Sequence, residues 1–339
     1  MRMIPRFGSQ LWRCELNTPI SHSKVRLTRF LGSVPNRLLD YDVFRPKKLR
    51  GKHPGLVNPL PAKIAANIPP IIFLHGLLGH RKNNRTAARM LSNQLGTTLI
   101  VPDLRNHGTS FHARPHNYRV MSDDICQLMS HLRDEVDFET NGVIMMGHSM
   151  GGKVAMVHAL RFPDIVKGVV SIDNVPYMNP ESSFKEFEKF HLYLKHMKKI
   201  VDSGTCKNVA AVANYLLKNI EQEKKVVTFL VNNLHKDPVT KKVQSLVPLD
   251  ILDECIEDIM EFKMSVLGDL DDYPVYQDPL LILRANYSNF VGNDIHEHLI
   301  TRHFENYQIQ SMDSSHWIVT EHRVPFVKLV SKWVLDNFV

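Results

Sequence analysis

The sequence has few cysteines and no long apolar run. Its four cysteines lie far apart, and no two of them form a C-x-x-C pair: Cys14, Cys126, Cys206 and Cys255. This spacing argues against a disulfide framework and against a metal site built on cysteine, and it favours a reducing compartment. No stretch of 18 consecutive apolar residues occurs in the 339 residues, so we predict that no helix spans a membrane.

Acidic residues are nearly missing from the first 37 positions. That segment holds seven Lys and Arg but only Glu15 as an acid, and the rest of the chain contributes only +1 to the total net charge of +7. Because the body is close to neutral, the charge argues against a nucleic-acid-binding protein. The segment is Arg-rich and lacks the apolar core of a secretory signal, which predicts a mitochondrial targeting segment at residues 1–37. A disordered basic tail is the alternative.

Short apolar strands alternate with amphipathic helices from residue 38 onward. Strands are predicted at 38–44, 71–74, 98–101, 143–146, 166–172, 280–283 and 307–310. Helices are predicted at 85–95 before Gly96, from an N-cap at Ser122 to about 135, after the 143–146 strand, at 293–303 and at 322–338. This alternation predicts an α/β domain over 38–339 with a mostly parallel sheet flanked by helices and right-handed crossovers.

The alternation stops between about 174 and 278. This stretch is rich in Lys, Glu, Phe and Leu and shows no clear strand pattern. We predict an all-helical insertion there, a helical lid. Its apolar positions indicate plain helix packing first and, on the sharper interpretation, an apolar cover over a site; one insertion can serve both roles.

The sequence Gly147-His148-Ser149-Met150-Gly151 is the centre of the functional prediction. It fits G-x-S-x-G and lies between an apolar strand and a predicted helix. In that setting, called a nucleophile elbow, the serine occupies a sharp turn between the strand and the following elbow helix, with its hydroxyl exposed. The helix N-terminus lies beside it, so its amide dipoles stabilise an oxyanion there. We predict Ser149 to be a nucleophile.

The same residues fit a second motif. Residues 147–153 also match G-x-x-x-x-G-K, the beginning of a phosphate-binding loop, and a strand ending in Asp173 follows. That loop requires Ser or Thr at the next position to supply a hydroxyl to Mg²⁺, and here the residue is Val154. The missing hydroxyl makes a nucleotide-binding site the weaker interpretation.

A serine hydroxyl becomes a good nucleophile only when a base removes its proton and an acid orients that base. In α/β hydrolases the chain order is Ser, acid, His. His316 lies in a polar loop after the last predicted strand, which favours it as the base. The usual position of the acid, at about 284–291, holds no carboxylate. Asp173, at the end of the strand after the elbow helix, is therefore our predicted acid, with Asp294 as the runner-up.

An oxyanion hole needs two backbone N–H groups. Met150, directly after the serine, is predicted to supply one, and Leu77, in the loop after His75-Gly76, the other. We predict His75 to be structural and the side chain of His148 to turn away from that of the serine.

Four motifs together resemble a known family. They are H-G-L-L-G at 75–79, D-x-R-N-H-G-x-S at 103–110, G-H-S-M-G-G-K at 147–153 and S-I-D-N-V-P at 171–176. The set resembles a mitochondrial branch of the α/β hydrolases that includes fungal ethanol acetyltransferases and animal mitochondrial abhydrolase-domain proteins. The resemblance covers roughly 38–339. It implies the α/β-hydrolase fold, an acid after the strand that follows the elbow, and ester and thioester hydrolysis. Fungal members also transfer acetyl from acetyl-CoA to ethanol.

These observations predict a serine acyl-transfer enzyme, with an alcohol acetyltransferase as the first expectation. It would make ethyl acetate from acetyl-CoA and ethanol, with esterase and thioesterase side activities. A mitochondrial ester or thioester hydrolase without a transferase role is the alternative, followed by a non-catalytic binding protein of hydrolase fold. The expected partners are a small acyl ester or thioester and a small alcohol. We expect no cofactor and no metal, with acetyl-CoA acting as substrate, and the oligomeric state stays open.

Overall fold

The computed structural model describes residues 37–47, 61–178, 183–262 and 275–339. Apart from Arg37, the predicted targeting segment lies outside the described residues. The strands are β1 (Tyr41–Phe44), β2 (Ile71–Leu74), β3 (Leu99–Pro102), β4 (Val143–His148), β5 (Val166–Ile172), β6 (Leu234–Lys236), β7 (Val243–Ser245), β8 (Leu280–Ala285) and β9 (Tyr307–Met312). The helices are α1 (Ala62–Ala65), α2 (Arg81–Leu95), α3 (Tyr118–Leu132), α4 (Phe138–Asn141), α5 (Met150–Arg161), α6 (Ser183–Ser203), α7 (Val209–Asn219), α8 (Lys224–Val231), α9 (Leu249–Glu254), α10 (Ile256–Met260), α11 (Glu297–Thr301), α12 (Ile318–Glu321) and α13 (Arg323–Phe338).

Seven strands form the central sheet in the order β1-β3-β2-β4-β5-β8-β9. The edge strand β1 pairs antiparallel with β3, and every other neighbouring pair is parallel. The prediction of a mostly parallel sheet is therefore confirmed. Helices cover both faces of such a sheet, which explains why the central strands are continuously apolar rather than alternating with polar residues.

The two faces of the sheet carry separate cores. Along β2 and β4, the side chains of Ile72 and Met145 belong to a core shared with α3 and α5. Their neighbours Phe73 and Met146 belong to a core shared with α2 and α13. Successive side chains of a strand point to opposite faces, so a run of apolar residues supplies both cores at once. The carboxyl ends of the six parallel strands lie at the same edge of the sheet, and the candidate site lies at that edge.

The first turns of two helices differ from the sequence prediction. The helix predicted at 85–95 begins earlier, at Arg81, and it ends as predicted before Gly96, which takes the left-handed conformation with φ 71°. The predicted N-cap at Ser122 is wrong. Asn117 caps α3 and accepts a hydrogen bond from the Val120 N–H. Ser122 lies fully buried inside the helix, where its hydroxyl pairs with Nδ1 of His158 at 2.9 Å.

The insertion between β5 and β8 contains α6 to α10 in its described part. The prediction that it is all-helical is wrong, because β6 and β7 form an antiparallel hairpin within it. The Asp237 carboxylate accepts the backbone N–H of Val239 at 2.9 Å and so supports the turn. Each strand has only three residues, too few for a periodic pattern to be recognised. Of the helices described, none is long and apolar enough to cross a membrane.

Candidate active site

Ser149 lies at the sharp turn between β4 and α5. Its backbone has φ 54° and ψ −120°, a conformation that is rare for residues other than glycine and marks a strained turn. The turn is held by the Ser149 N–H, which donates to the Ile172 carbonyl at 2.9 Å, and by the Ser149 carbonyl, which accepts from the Gly152 N–H at 2.9 Å. A Cβ on Gly147 would lie 2.0 Å from the Gly151 carbonyl oxygen. Only glycine therefore lets the helix cross the strand so closely.

Asp173 and His316 are hydrogen-bonded to each other. Oδ2 of Asp173 lies 2.6 Å from Nδ1 of His316. The carboxylate is fully buried, and its Oδ1 accepts the backbone N–H of Ala285 at 3.1 Å. An ionised carboxylate only accepts hydrogen bonds, so Nδ1 carries the proton and Nε2 of the neutral ring has a free lone pair. That tautomer is the one a general base requires.

Neighbouring side chains fix the imidazole of His316. Phe290 stacks on it with ring centroids 4.0 Å apart and planes inclined by 23°. Phe290 belongs to the loop after β8, where the usual acid is missing. The last residue of β8, directly before that loop, supplies the Ala285 N–H that holds Asp173. In place of a carboxylate, the end of β8 thus contributes a backbone N–H to the acid, and the loop after it contributes an aromatic face to the base.

A cavity of about 240 Å³ opens in front of the serine. Ser149 and His316 both line it, together with Gly76 and Leu77 of the loop after β2. The lid contributes Phe190 from α6 and Phe229 from α8 to the cavity wall. Three further lid residues also line the cavity: Lys225, Thr228 and Asn232. The ring of Phe229 lies 4.4 Å from that of Trp317, the residue after His316. The insertion therefore does cover the site with aromatic side chains.

The loop after β2 approaches the serine closely. A Cβ on Gly76 would lie 3.1 Å from Cβ of Ser149, so glycine is needed at this approach. Leu77 and Met150 both line a second cavity, of about 20 Å³, with Ser149. Met150 is the first residue of α5, where backbone N–H groups have no partner within the helix. The structure thus brings both predicted oxyanion donors beside the serine.

The motif at 103–110 holds the loop after β2 through a hydrogen bond to its backbone. The ring of His107 accepts the Leu78 N–H through Nε2 at 3.0 Å and donates through Nδ1 to the Arg105 carbonyl at 3.0 Å. Burial lowers the pKa of His107 well below its ordinary value, so the ring stays neutral and able to accept. His75 acts similarly, because its Nε2 accepts the Leu104 N–H at 2.9 Å. This agrees with the prediction that His75 is structural.

The runner-up acid Asp294 is exposed in the loop before α11, whereas Asp173 makes the 2.6 Å hydrogen bond to His316. Lys153, which the phosphate-loop interpretation would direct at a nucleotide, is buried. Its Nζ donates to the Met260 carbonyl at 2.7 Å, and burial lowers its pKa to about 7. That placement argues against a nucleotide site. Among the described residues, no group of three or more His, Cys, Asp or Glu side chains is arranged to hold a metal ion.

Several residues of the site were not predicted from the sequence. Phe290, Asn84 and Asn232 lie in segments without a recognisable motif, and nothing local marks them as neighbours of the serine. His107 had a signal, because it belongs to one of the four motifs, but its contact with the loop after β2 depends on packing across 29 residues of chain.

Comparison with known proteins agrees with this geometry. Residues 69–323 match the family described as alpha/beta hydrolase fold. A probable alcohol acetyltransferase of Saccharomyces cerevisiae is 33% identical over 270 residues, covering 75% of this chain and 73% of that protein. The sn-1-specific diacylglycerol lipase ABHD11 of Danio rerio is 30% identical over 264 residues, covering 77% of each. A marine microorganism esterase of known structure superposes with a TM-score of 0.69 at 20% identity, covering 89% of this chain and 100% of the esterase, which shows the shared fold.

The predicted resemblance and fold are thus confirmed, and the names of these relatives all describe acyl transfer or ester hydrolysis. The chain belongs to the α/β-hydrolase family, in the branch that holds fungal alcohol acetyltransferases and animal abhydrolase-domain proteins, and it is a serine hydrolase or acyltransferase.

Proposed function

We propose that the protein is an alcohol acetyltransferase that makes ethyl acetate from acetyl-CoA and ethanol through Ser149, Asp173 and His316. Hydrolysis of esters and of acetyl-CoA would be side activities of the same site. The observation that carries the proposal is the 2.6 Å hydrogen bond between Asp173 and His316, made where His316 and Ser149 line one cavity under the lid.

In the first half-reaction, Nε2 of His316 takes the proton of the Ser149 hydroxyl while Oγ attacks the thioester carbonyl carbon. The negative charge that develops on the carbonyl oxygen is stabilised by the N–H groups of Leu77 and Met150. The C–S bond then breaks, and the thiolate of CoA leaves with the proton held by His316. The product is an acetyl ester on Ser149, with Asp173 holding the imidazole in one orientation throughout.

In the second half-reaction, the acceptor takes the place of the departed thiol. Nε2 of His316 removes the hydroxyl proton of the alcohol, whose oxygen attacks the acetyl-enzyme, and the proton then passes to Oγ of Ser149 as the ester leaves. Water competes at far higher concentration. Alcohol succeeds only where the pocket binds or orients it better than water. The aromatic faces of Phe190, Phe229 and Trp317 that line the cavity favour an alkyl group over water.

Hydrolysis without transfer is the second candidate function. The side chain of His316 is 13% exposed, so water from the cavity mouth reaches the base. The same atoms perform both reactions, and the name of the Danio rerio relative describes a lipase.

Product analysis separates the two functions. Purified protein is incubated with acetyl-CoA at increasing ethanol concentration, with headspace gas chromatography for ethyl acetate and enzymatic assay for acetate. We expect ethyl acetate that rises with ethanol, acetate alone when ethanol is absent, and neither product from Ser149→Ala. Acetate as the sole product at every ethanol concentration would remove the transferase and leave a hydrolase.

We further propose that residues 1–37 direct the protein to mitochondria. The support is the content of seven basic residues and one acid in that segment. A fusion of residues 1–37 to a fluorescent protein is expected to enter mitochondria, and the same fusion with Arg2, Arg6 and Arg13 changed to Ala is expected to stay in the cytosol. A cytosolic unaltered fusion would contradict the proposal.

A further inference from the structure

Two cavities meet at Ser149, and different residues line them. The larger, of about 240 Å³, is lined by His316. The smaller, of about 20 Å³, is lined by Met150 and Phe290, and His316 is not among the described residues that line it. Leu77 borders both cavities. The serine therefore has the base and a wide space on one side, and a small space beside Met150 on the other.

The chemistry of acyl transfer assigns a different group to each cavity. Once Oγ of Ser149 has attacked, the tetrahedral carbon carries an oxyanion, a leaving group and the acyl chain. The oxyanion points to the N–H groups of Leu77 and Met150. The leaving group must lie near Nε2 of His316 to receive its proton, which places it in the larger cavity. The acyl chain takes the remaining direction, toward the smaller cavity.

The lid supplies one wall of the smaller cavity. Ile259 and Met260, at the end of α10, line it and are only 3% and 7% exposed. The Tyr118 hydroxyl of α3 donates a hydrogen bond to the Ile259 carbonyl. Nζ of Lys153, in α5, donates to the Met260 carbonyl at 2.7 Å. Because both carbonyls are anchored to core helices, this closely packed wall resists displacement by a longer chain.

The size of the smaller cavity sets a limit on the acyl chain. A space of about 20 Å³ holds one water-sized group. The methyl of an acetyl group is of that size, whereas a butyryl chain brings two more carbons. Two polar side chains in the wall already have protein partners. Lys153 is held by the Met260 carbonyl, and the side-chain oxygen of Asn174 accepts the Val175 N–H at 2.9 Å.

We infer that the smaller cavity holds the acyl chain carried by Ser149, and that Ile259 and Met260 of the lid restrict this chain to two carbons. The inference rests on the proposed function in taking Ser149 as the acylated group, and it deepens that function by naming the class of acyl group. The residues that set the limit belong to the insertion. The elbow and the loop after β2 supply the chemistry instead.

A series of esters tests the limit on the unaltered protein. The p-nitrophenyl esters of acetate, butyrate and octanoate share one leaving group and differ only in the acyl chain. Each rate is divided by that of spontaneous hydrolysis. We expect kcat/KM for the acetate to exceed that for the butyrate by at least about tenfold, the least that one methylene is worth in a fitted pocket. The octanoate should be poorer still. Equal values for acetate and butyrate would overturn the inference.

Variants then locate the limit. Met260→Ala widens the cavity and keeps the backbone carbonyl that Lys153 binds. It is expected to raise kcat/KM for butyrate relative to acetate by at least about fivefold. Ile259→Val removes a single methyl group and should shift the ratio in the same direction, which keeps the test available if the larger truncation unfolds the protein.

Ile256→Ala is the matched control. Ile256 lies on the same helix and is 2% exposed, but it is not among the described residues that line the smaller cavity. Its variant should keep the wild-type ratio of butyrate to acetate. If Met260→Ala lowers both rates equally, the residue is merely structural. If its ratio stays unchanged, the chain lies elsewhere. Either result overturns the inference.

The outcome is distinguishable from failure of the proposed function, because p-nitrophenyl esters need neither CoA nor ethanol. If the protein prefers the acetate ester as expected but makes no ethyl acetate from acetyl-CoA and ethanol, the proposed function fails and the inference stands. If ethyl acetate forms while butyrate and acetate esters are cleaved equally well, only the inference fails.

Discussion

Nε2 of His148 donates a hydrogen bond to the main-chain carbonyl oxygen of His316 across 2.7 Å. The bond joins the residue before the serine to the residue that carries the base. Burial lowers the pKa of His148 to about 3, so the ring is neutral at ordinary pH and its single proton is on Nε2. The imidazole rings of the two residues lie 4.5 Å apart. The elbow thus holds the loop of the base directly.

His148→Phe is expected to lower kcat for ester cleavage by roughly five- to tenfold, since one buried hydrogen bond contributes about 1 kcal/mol. His148 also lines the cavity, but KM should change less than kcat because the phenyl ring fills a similar volume of its wall. His148→Gln keeps an N–H donor and should recover part of the loss. His131→Gln, on the exposed face of α3, serves as the control. Steady-state kinetics with p-nitrophenyl acetate measure all three, and a wild-type kcat for His148→Phe would show that the loop of His316 needs no such bond.

Ser149→Ala is expected to reduce ester cleavage by about 10⁴-fold or more while leaving the fold intact, because the acyl-enzyme can no longer form. Ser203→Ala, at the exposed end of α6, should retain full activity. Labelling by a fluorophosphonate probe should disappear in the first variant and persist in the second. Turnover near the wild-type rate by a folded Ser149→Ala protein would remove the assignment of the nucleophile.

Asp173→Asn should cost far more activity than Asp294→Asn. The amide would present Nδ2 or a neutral oxygen to His316, which loses the preferred tautomer and the stabilisation of the imidazolium, and the expected loss in kcat is about 10⁴-fold. Asp294 is exposed, so its change should leave kcat within about twofold, as for most surface substitutions. If Asp294→Asn proves the more damaging of the two, the acid has been misassigned.

The buried Lys153 should make stability depend on pH. Burial lowers its pKa from the ordinary 10.5 to about 7 in the folded protein. Between these two values the unfolded chain binds more protons than the folded one, so the free energy of unfolding rises with pH in that window. The limiting slope from one such group is about 1.4 kcal/mol per pH unit. Below pH 7 the lysine is charged in both states, and its contribution is least favourable.

Urea unfolding of wild type and Lys153→Met at pH 6.5, 8 and 9.5 tests this dependence. Other titrating groups act alike in both proteins, so the difference between the two isolates Lys153. We expect the stability of wild type relative to Lys153→Met to increase steadily from pH 6.5 to 9.5. A constant difference across the three pH values would show that the lysine titrates alike in the folded and unfolded chain.

Much of the fold was predictable because its signals are local. A strand buried on both faces is an unbroken apolar run such as 71–74, and Gly147 is required by a steric contact with Gly151, only four residues away. The sequence failed where an element was short or depended on packing. The strands at 234–236 and 243–245 span too few residues for a period, and Ser122 resembles a cap until its burial against His158 is seen.

The sequence by itself determined the succession of the seven strands of the central sheet along the chain, the sharp turn at Ser149 and the position of His316 after the last strand, because each depends on neighbours in the chain. It left Asp173 and Asp294 both open as the partner of His316. The tertiary structure places Asp173 there, since pairing of β5 with β8 brings its carboxylate to the Ala285 N–H and the His316 ring, 112 and 143 residues away. The same holds for Phe290 stacked on His316 and for Asn84 in the cavity wall. Such contacts form only when distant segments pack together, and no local pattern of residue types records them.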